Sequence, residues 1–149
     1  LTGLSSHSFS AMCELFGPPL KVAAARQHRG ETVMVLFDYG HFTAIYEAVI
    51  HDVARFDAGI EVLTMNQHFR INYDTPYIRN LPTRLEITTS DRNTTGTEVI
   101  GPFYEDAFRI ELDAFHRAIT IGEKPKTTLE DSLADLRLFA EVGRHFLSP

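Results

Sequence analysis

Hydrophobic and polar positions follow two different periods along this chain. Near the start, Phe9, Met12 and Phe16 recur at helical spacing before Gly17-Pro18-Pro19, which predicts a short helix over residues 6–16. The middle of the chain instead alternates every second residue and is rich in β-branched side chains, as strands are. The last third returns to helical spacing. The pattern therefore predicts a helix, a set of strands and then further helices.

Seven strands are predicted in the middle region, separated by turn residues such as Gly, Asn and Asp. They cover Leu20–Gln27, Glu31–Asp38, His41–Val49, Gly59–Met65, His68–Tyr73, Leu85–Thr89 and Thr97–Ile100. Because the connections among the first three are very short, these strands must be antiparallel neighbours. Pro76 and Pro82 bracket a passage that we expect to be extended but outside any ladder.

Two helices are predicted in the last third. The first carries an apolar stripe that we expect in the core, made of Phe108, Leu112, Phe115 and Ile119. Gly122 stands where a left-handed helix cap belongs. Thr128, with Asp131 three residues later, should cap the second helix. The expected apolar stripe of that helix comprises Leu129, Leu133, Leu136, Ala140 and Gly143, with Leu138 and Val142 beside it.

This order of elements predicts an α+β fold. We expect an open, mostly antiparallel sheet of about six to nine strands with helices packed on one face. A chain of 149 residues has the size of one domain, so residues 1–149 are expected to form a single domain. The other sheet face, with Val33, Val35, Phe37 and Ile45 or their alternates, would be bare and could serve as a homodimer surface.

Composition narrows the class of partner. The net charge is −6 and no Lys/Arg cluster occurs, so nucleic acid is not an expected partner. No apolar run approaches the ~20 residues that a bilayer span needs, so no membrane partner is expected either. The single cysteine, Cys13, permits no intrachain disulfide and favours a cytoplasmic location. Its apolar surroundings predict a buried, unreactive thiol.

A spaced motif closes the chain. It reads Phe108-x-x-Glu111-Leu112-x-x-Phe115-x-x-Ala118-Ile119-x-x-Gly122-x-x-Pro125-x-Thr127-x-x-x-Asp131, followed by Leu133, Asp135, Leu136 and Leu138. At the other end, Ser6-His7 opens a short helix that is followed by Gly17-Pro18-Pro19 and a Val-Ala-Ala strand. Together these features resemble the Gfo/Idh/MocA oxidoreductases, the sugar and inositol dehydrogenases and their relatives, over nearly the whole chain.

The resemblance implies that this chain is the C-terminal substrate-binding and dimerisation domain of a longer NAD(P)-dependent oxidoreductase. In that family, an N-terminal Rossmann domain binds NAD or NADP through a Gly-rich turn. No Gly-x-Gly-x-x-Gly follows a strand in this sequence, so the Rossmann domain is expected to be absent. The fragment alone should bind no cofactor and be inactive. The implied substrate is a sugar, inositol or related polyol, oxidised by hydride transfer.

His7 is the candidate catalytic residue, because by this resemblance it matches the family's histidine beside the nicotinamide and the substrate hydroxyl. Oxidising an alcohol requires removal of the hydroxyl proton, and an imidazole titrates near neutrality. The family usually has Asp four residues before and three residues after this histidine, where this chain has Gly3 and Ser10. The alternative interpretation is that His7 is simply a polar residue at the start of a helix.

A polar and aromatic segment around Pro76 is the candidate substrate-binding region, although an ordered surface loop would have the same composition. Its candidate residues are Asn72, Tyr73, Tyr77 and Arg79. No histidine pair has metal-site spacing, so no metal is expected. In this family the tripeptide Glu-Lys-Pro supplies a catalytic lysine from the Rossmann domain. Here Glu123-Lys124-Pro125 falls between two predicted helices, so Lys124 should lie in an exposed loop.

Two further interpretations stay open. A stand-alone, non-enzymatic binding or dimerisation module could use the same sheet. A ferredoxin-like or dimeric-barrel enzyme would fit the strand content, but not the closing helix motif. A Rossmann domain encoded directly upstream would favour the dehydrogenase over the stand-alone module.

Overall fold

The computed structural model describes residues 2–54 and 56–147, with side chains from Ser5 onward. The elements in chain order are α1 (Thr2–Phe16), β1 (Lys21–His28), β2 (Thr32–Asp38), β3 (Thr43–Val49), β4 (Ala58–Leu63), β5 (Gln67–Tyr73), β6 (Thr83–Ser90), β7 (Thr95–Phe103), α2 (Ala107–Ile121) and α3 (Leu129–Leu147). The predicted α+β class is confirmed. Helix α1 begins earlier than predicted, at Thr2.

The strands form two antiparallel ladders rather than one continuous sheet. One ladder has the order β1-β2-β3 and the other the order β4-β5-β6-β7. The chain correspondingly divides into two compact units. The first unit contains the residues up to Asp52 and those from Lys126 onward, and the second unit is Val53–Pro125. That residues 1–149 act as one functional domain stays a prediction.

The core of the first unit lies between its ladder and the helices α1 and α3. Phe9 of α1 is fully buried. Its ring stacks on that of Phe139 at 4.6 Å and meets the edges of Phe37 at 5.2 Å and Tyr46 at 5.0 Å. Rings packed in this way contribute beyond the apolar area that they bury. This aromatic cluster therefore ties both helices to the ladder.

Hydrogen bonds from tyrosine side chains fix helix α1 at both ends. The Tyr46 hydroxyl donates to the buried Ser5 Oγ at 2.6 Å. At the other end the Tyr39 hydroxyl donates to the Gly17 carbonyl oxygen at 3.0 Å. Because Ser5 is held in this way, the adjacent part of α1, which carries His7, has a defined position on the first unit.

Helix α3 begins at the predicted cap but buries a different stripe. The Thr128 backbone N–H and hydroxyl both donate to the Asp131 carboxylate at 2.8 Å, which confirms the capping interaction. The predicted stripe is wrong, because Leu129, Leu133 and Leu136 are exposed. The buried residues of α3 are Leu138, Phe139 and Val142. The stacking of Phe139 on Phe9 sets which side of α3 faces the ladder. The spacing of the leucines does not predict this contact.

The suggested bare face of the first ladder also needs correction. Val33, Val35 and Phe37 are buried in the core on the helix-covered side, whereas Ile45 is 72% exposed. The residues of β2 that alternate with these three point to the other face of the ladder, which the helices do not cover. Met34 is exposed on that face. Alternation separates two faces of a strand, but it does not tell which face the helices cover.

None of the described residues of the second unit is buried. Helix α2 starts where Asp106 accepts a hydrogen bond from the Arg109 N–H, and it ends at Gly122 in the left-handed conformation, as predicted. The expectation that its apolar stripe lies in the core is wrong. All four residues of that stripe are exposed: Phe108, Leu112, Phe115 and Ile119. Helical periodicity predicts that a helix has an apolar face. It does not predict whether other residues of the same chain pack against that face.

In the described parts of the chain, no helix combines the length and apolar character needed to cross a membrane.

Candidate functional site

His7 lies in the second turn of α1, and its side chain is exposed. Helical spacing puts Gly3 and Ser10 on the same side of α1 as His7. Carboxylates at those two positions would therefore be direct neighbours of the imidazole, and this chain has neither. Within the described part of the chain, the His7 side chain makes no hydrogen bond or ion pair. Its catalytic role stays a prediction.

Tyr77 and Arg79 contact the start of α2. The Tyr77 ring centroid lies 6.2 Å from that of Phe108, and the Arg79 Nε lies 3.5 Å from the Asp106 carboxylate. Asp106 is also the residue that caps α2. These contacts fit an ordered surface loop, and a substrate-binding role for Tyr77 and Arg79 stays a prediction.

Asn72 lies elsewhere in the second unit, in a shallow depression on the ladder. This depression has a volume of about 290 Å³ and is lined by Arg70, Asn72, Pro82, Arg84 and Glu86. We refer to it as the polar groove. An adjoining depression shares Arg70, Asn72 and Pro82, and it adds Phe56, Asp57, Ala58, Tyr73 and Asp74. The structure thus brings Asn72 and Tyr73 together and separates them from the contacts that Tyr77 and Arg79 make.

Strand register explains why the polar groove is polar. Asn72 pairs with Arg84 across β5 and β6, and Arg70 pairs with Glu86. Paired residues point to the same side of a ladder, so these four side chains share one face. The intervening residues Ile71 and Leu85, which pair with each other, point to the opposite face. A polar face and an apolar face therefore lie back to back on the same two strands.

A glycine makes room for the Asn72 side chain. Gly59 pairs with Asn72 across β4 and β5. A Cβ at Gly59 would lie 2.9 Å from Asn72 Oδ1 and 2.6 Å from the Ile71 carbonyl oxygen. Both distances are too short for non-bonded contacts, so only glycine fits this position while Asn72 keeps its place.

Arg70 is held by an ion pair across the ladder. Its guanidinium lies 2.7 Å from the Glu61 carboxylate, a distance typical of a charge-assisted hydrogen bond. The other carboxylate oxygen of Glu61 lies 3.6 Å from His68 Nε2. This distance is too long for a hydrogen bond, which agrees with the finding that His68 Nε2 is buried without a hydrogen-bond partner. Glu61 therefore neutralises Arg70 and only approaches His68.

The sequence interpretation missed Arg84 and Glu86. Both lie on β6 within the polar groove, and neither forms a hydrogen bond or ion pair with any other described residue. The alternation of polar Arg84 and Glu86 with apolar Leu85 and Ile87 could have indicated a polar strand face. Only the register, however, sets that face beside Arg70 and Asn72.

Cys13 has the unreactive character expected of it, although it is partly rather than fully buried. Desolvation, and then the charge of Asp135 and a hydrogen bond with it, raise the pKa of the Cys13 thiol to about 11. Burial also raises the pKa of the Asp135 carboxyl. Near neutral pH, Cys13 is therefore a protonated thiol and a poor nucleophile.

Lys124 lies between α2 and α3 and is exposed, and the neighbouring Glu123 carboxylate accepts a hydrogen bond from Arg117 Nε at 2.9 Å. This location is the one predicted from the sequence. Across residues 2–54 and 56–147, no three His, Cys, Asp or Glu side chains come together in a group that could hold a metal ion.

Similarity to known proteins is visible in the fold and not in the sequence. No protein-family model matches the chain, and no curated protein matches it. Two similar solved structures are both assigned provisionally as oxidoreductases. The first, yvaA from Bacillus subtilis, has a TM-score of 0.74 and 17% identity over 95% of this chain. The second, yhhX, has a TM-score of 0.71 and 20% identity over 99% of this chain.

The chain spans about half the length of these structures, namely 48% of the first and 47% of the second. At such identities the likeness establishes the fold. This chain therefore has the fold of about half of each of two solved chains that are provisionally assigned as oxidoreductases.

Proposed function

We propose that this chain is the substrate-side, C-terminal domain of an NAD(P)-dependent oxidoreductase that acts on a sugar, inositol or related polyol by hydride transfer. Activity requires NAD or NADP bound by a separate Rossmann domain, and the chain alone is inactive. One observation carries the proposal: the chain matches about half of two oxidoreductase chains with TM-scores of 0.74 and 0.71.

The strand-to-helix connection in the second unit supports the need for a separate nucleotide-binding domain. A dinucleotide fold holds the pyrophosphate at a Gly-rich turn between a strand and a helix. Among the described residues, the connection from β7 to α2 covers residues 104–106 and contains no glycine. The paired strands are antiparallel, whereas a dinucleotide fold is built on parallel strands. These features favour a chain that supplies substrate contacts only.

In this proposal His7 accepts the proton of the substrate hydroxyl. The nicotinamide, when bound by the other domain, supplies the acceptor for the hydride. Since Gly3 and Ser10 replace the carboxylates of the family pattern, no acidic residue at these two positions orients the imidazole. The imidazole of His7 is then positioned by its hydrogen bond with the substrate hydroxyl. This hydrogen bond forms only in the assembled enzyme.

Asn72 and Tyr73 are the substrate contacts that geometry favours among the four candidates. Asn72 offers both a donor and an acceptor for hydroxyl groups, and Tyr73 lines the adjoining depression. Tyr77 and Arg79 remain candidates on sequence grounds, and their exposure leaves them accessible to a ligand.

Homodimer formation through the open face of the first ladder is part of the same proposal. Met34, Ile45 and Val49 are exposed apolar side chains of β2 and β3, and β2–β3 register puts Met34 and Ile45 on that face. Exposed apolar patches of this kind mark interaction surfaces. A stand-alone dimerisation module would use the same face, so dimerisation by itself does not distinguish the two functions.

The test is an activity assay on the gene product that carries this chain. Reduction of NAD and NADP is followed at 340 nm with a panel of sugars, inositols and other polyols. The proposal predicts turnover by the full-length protein and none by the chain alone. It further predicts that His7→Ala lowers kcat by about 100-fold or more, as loss of a general base does. The matched control is His116→Ala, which removes an exposed histidine from α2.

Turnover that survives unchanged in His7→Ala would contradict the role of His7. An absence of turnover with every polyol, in a full-length protein that also binds no nucleotide, would favour the non-enzymatic module.

A further inference from the structure

Two charged side chains of β6 line the polar groove and have no partner among the described residues. Arg84 and Glu86 both line it, and neither pairs with another described residue. Side chains two residues apart on a strand lie on the same face, roughly 7 Å from each other. The groove thus presents one cationic and one anionic side chain on the same strand face.

The third charged side chain that lines the polar groove, Arg70, is already neutralised. Arg70 lies opposite Glu86 in the register, yet its guanidinium pairs with Glu61 at 2.7 Å. Glu61 is thereby occupied, and it is not available to Arg84. Within the polar groove itself, Arg84 and Glu86 are consequently the charged groups without a partner among the described residues, while Asp57 and Asp74 line the adjoining depression.

Asn72 supplies a neutral hydrogen-bonding group beside these charges. It pairs with Arg84 in the β5–β6 register, and it packs against Gly59 on its other side. Its carboxamide makes no hydrogen bond with the described residues. A carboxamide offers both donors and an acceptor to hydroxyl groups.

We propose that the polar groove binds a polyhydroxylated carboxylate, a sugar acid of the aldonate or uronate class. Arg84 holds the carboxylate, since guanidinium and carboxylate match as a two-point hydrogen-bonded pair. Asn72 and Glu86 bind the hydroxyl groups of the same ligand. Glu86 repels a second negative charge, which disfavours inorganic phosphate. The volume of about 290 Å³ lies just below the range of about 300–1,000 Å³ that is typical of drug-sized ligand sites.

This inference rests on the proposed function, because it narrows the polyol substrate to one that carries a carboxylate. Binding in the polar groove requires no nucleotide, so it can be measured without hydride transfer. The two proposals can therefore fail separately.

The experiment is isothermal titration calorimetry of this chain at low salt with four probes: D-gluconate, D-glucitol, propionate and inorganic phosphate. We expect D-gluconate to bind most tightly. Arg84→Gln should weaken D-gluconate binding by about tenfold or more, while Arg92→Gln, which removes an exposed arginine in the β6–β7 turn, should leave it unchanged. Arg84→Lys, which keeps the charge but not the two-point geometry, should fall between them. Far-ultraviolet circular dichroism verifies that each variant is folded.

Several results would overturn the inference. Equal affinity for D-gluconate and D-glucitol would show that the carboxylate is not recognised. Phosphate or propionate binding as tight as that of D-gluconate would indicate a general anion site. An absence of D-gluconate binding, or binding insensitive to Arg84→Gln, would exclude the groove. None of these results bears on nucleotide binding by the full-length protein, which tests the proposed function separately.

Discussion

At the residue scale, the geometry of the polar groove depends on a position without a side chain. Gly59 lies opposite Asn72, and the nearby carbonyl of Ile71 closes the space that a Cβ would need. The contact with the Ile71 carbonyl cannot relax easily, because that carbonyl belongs to the backbone of the ladder. The groove is therefore sensitive to a single added methyl group.

Gly59→Ala should lower the free energy of unfolding by about 1–3 kcal/mol, as overpacking typically does, and it should also displace Asn72. The control is Gly96→Ala, since a Cβ at Gly96 meets nothing within 4 Å. Urea unfolding measures both variants. An equal loss of unfolding free energy in the two variants would contradict the close approach of Gly59 to the Ile71 carbonyl oxygen.

Cys13 gives a second prediction at this scale, because its thiol has a pKa of about 11 rather than 9.0. The folded chain holds this proton more tightly than the unfolded chain does. The contribution of Cys13 to stability is therefore complete below about pH 9 and declines as the pH rises towards 11. Native-state alkylation by iodoacetamide should show a midpoint near pH 11, against a midpoint near 9 in denaturant.

Asp135→Asn should lower the midpoint of Cys13 alkylation, because it removes the negative charge that opposes the thiolate. The shift should be partial, since desolvation is the larger cause. A native midpoint at or below that of the denatured chain would instead mark Cys13 as an activated nucleophile.

At the element scale, helix α3 depends on its cap. Thr128 and Asp131 form reciprocal hydrogen bonds. The Thr128 backbone N–H and hydroxyl donate to the Asp131 carboxylate, and the Asp131 N–H donates to Thr128 Oγ1 at 3.3 Å. Thr128→Ala should cost about 1 kcal/mol of stability. Thr127→Ala, one residue earlier and without a capping bond, should cost much less. Thermal or urea unfolding that ranks the two variants equally would contradict the importance of the cap.

Local chemistry made the end of α2 and the start of α3 predictable from the sequence. Gly122 and Thr128 act within a few residues of their own positions, so their roles could be assigned without knowing the fold. Burial could not be assigned in this way. Leu133 and Leu136 have the right spacing for a core stripe, yet Phe139 is the residue of α3 that reaches the aromatic cluster around Phe9.

Strand faces show the same limit. The alternation in β2 separates Val33, Val35 and Phe37 from Met34, and only the packing of α1 and α3 decides which set becomes core. The polar groove was only partly predictable: the sequence indicated Asn72, which lines it, and Tyr73, which lines the adjoining depression. Arg84 lies beside Asn72 through the β5–β6 register, which depends on a pairing that the local sequence does not encode.

At the scale of the whole molecule, the two units differ in how they bury apolar surface. The first unit has a core of aromatic and aliphatic side chains between a ladder and two helices. The described part of the second unit has no buried residue, and the apolar stripe of α2 lies in solvent. Apolar surface of this extent is expected of a domain that functions in contact with other protein surface. This agrees with the proposal that the chain acts as part of a larger oxidoreductase.

The most direct measurement of the central proposal is a nucleotide titration, run in parallel on this chain and on the full-length gene product that carries it. Binding is followed by the fluorescence of NADH and NADPH. The proposal predicts saturable binding of one or both nucleotides by the full-length protein and none by the chain alone. Binding by the isolated chain would contradict the assignment of this chain to the substrate side, and an absence of binding by both would contradict the oxidoreductase function itself.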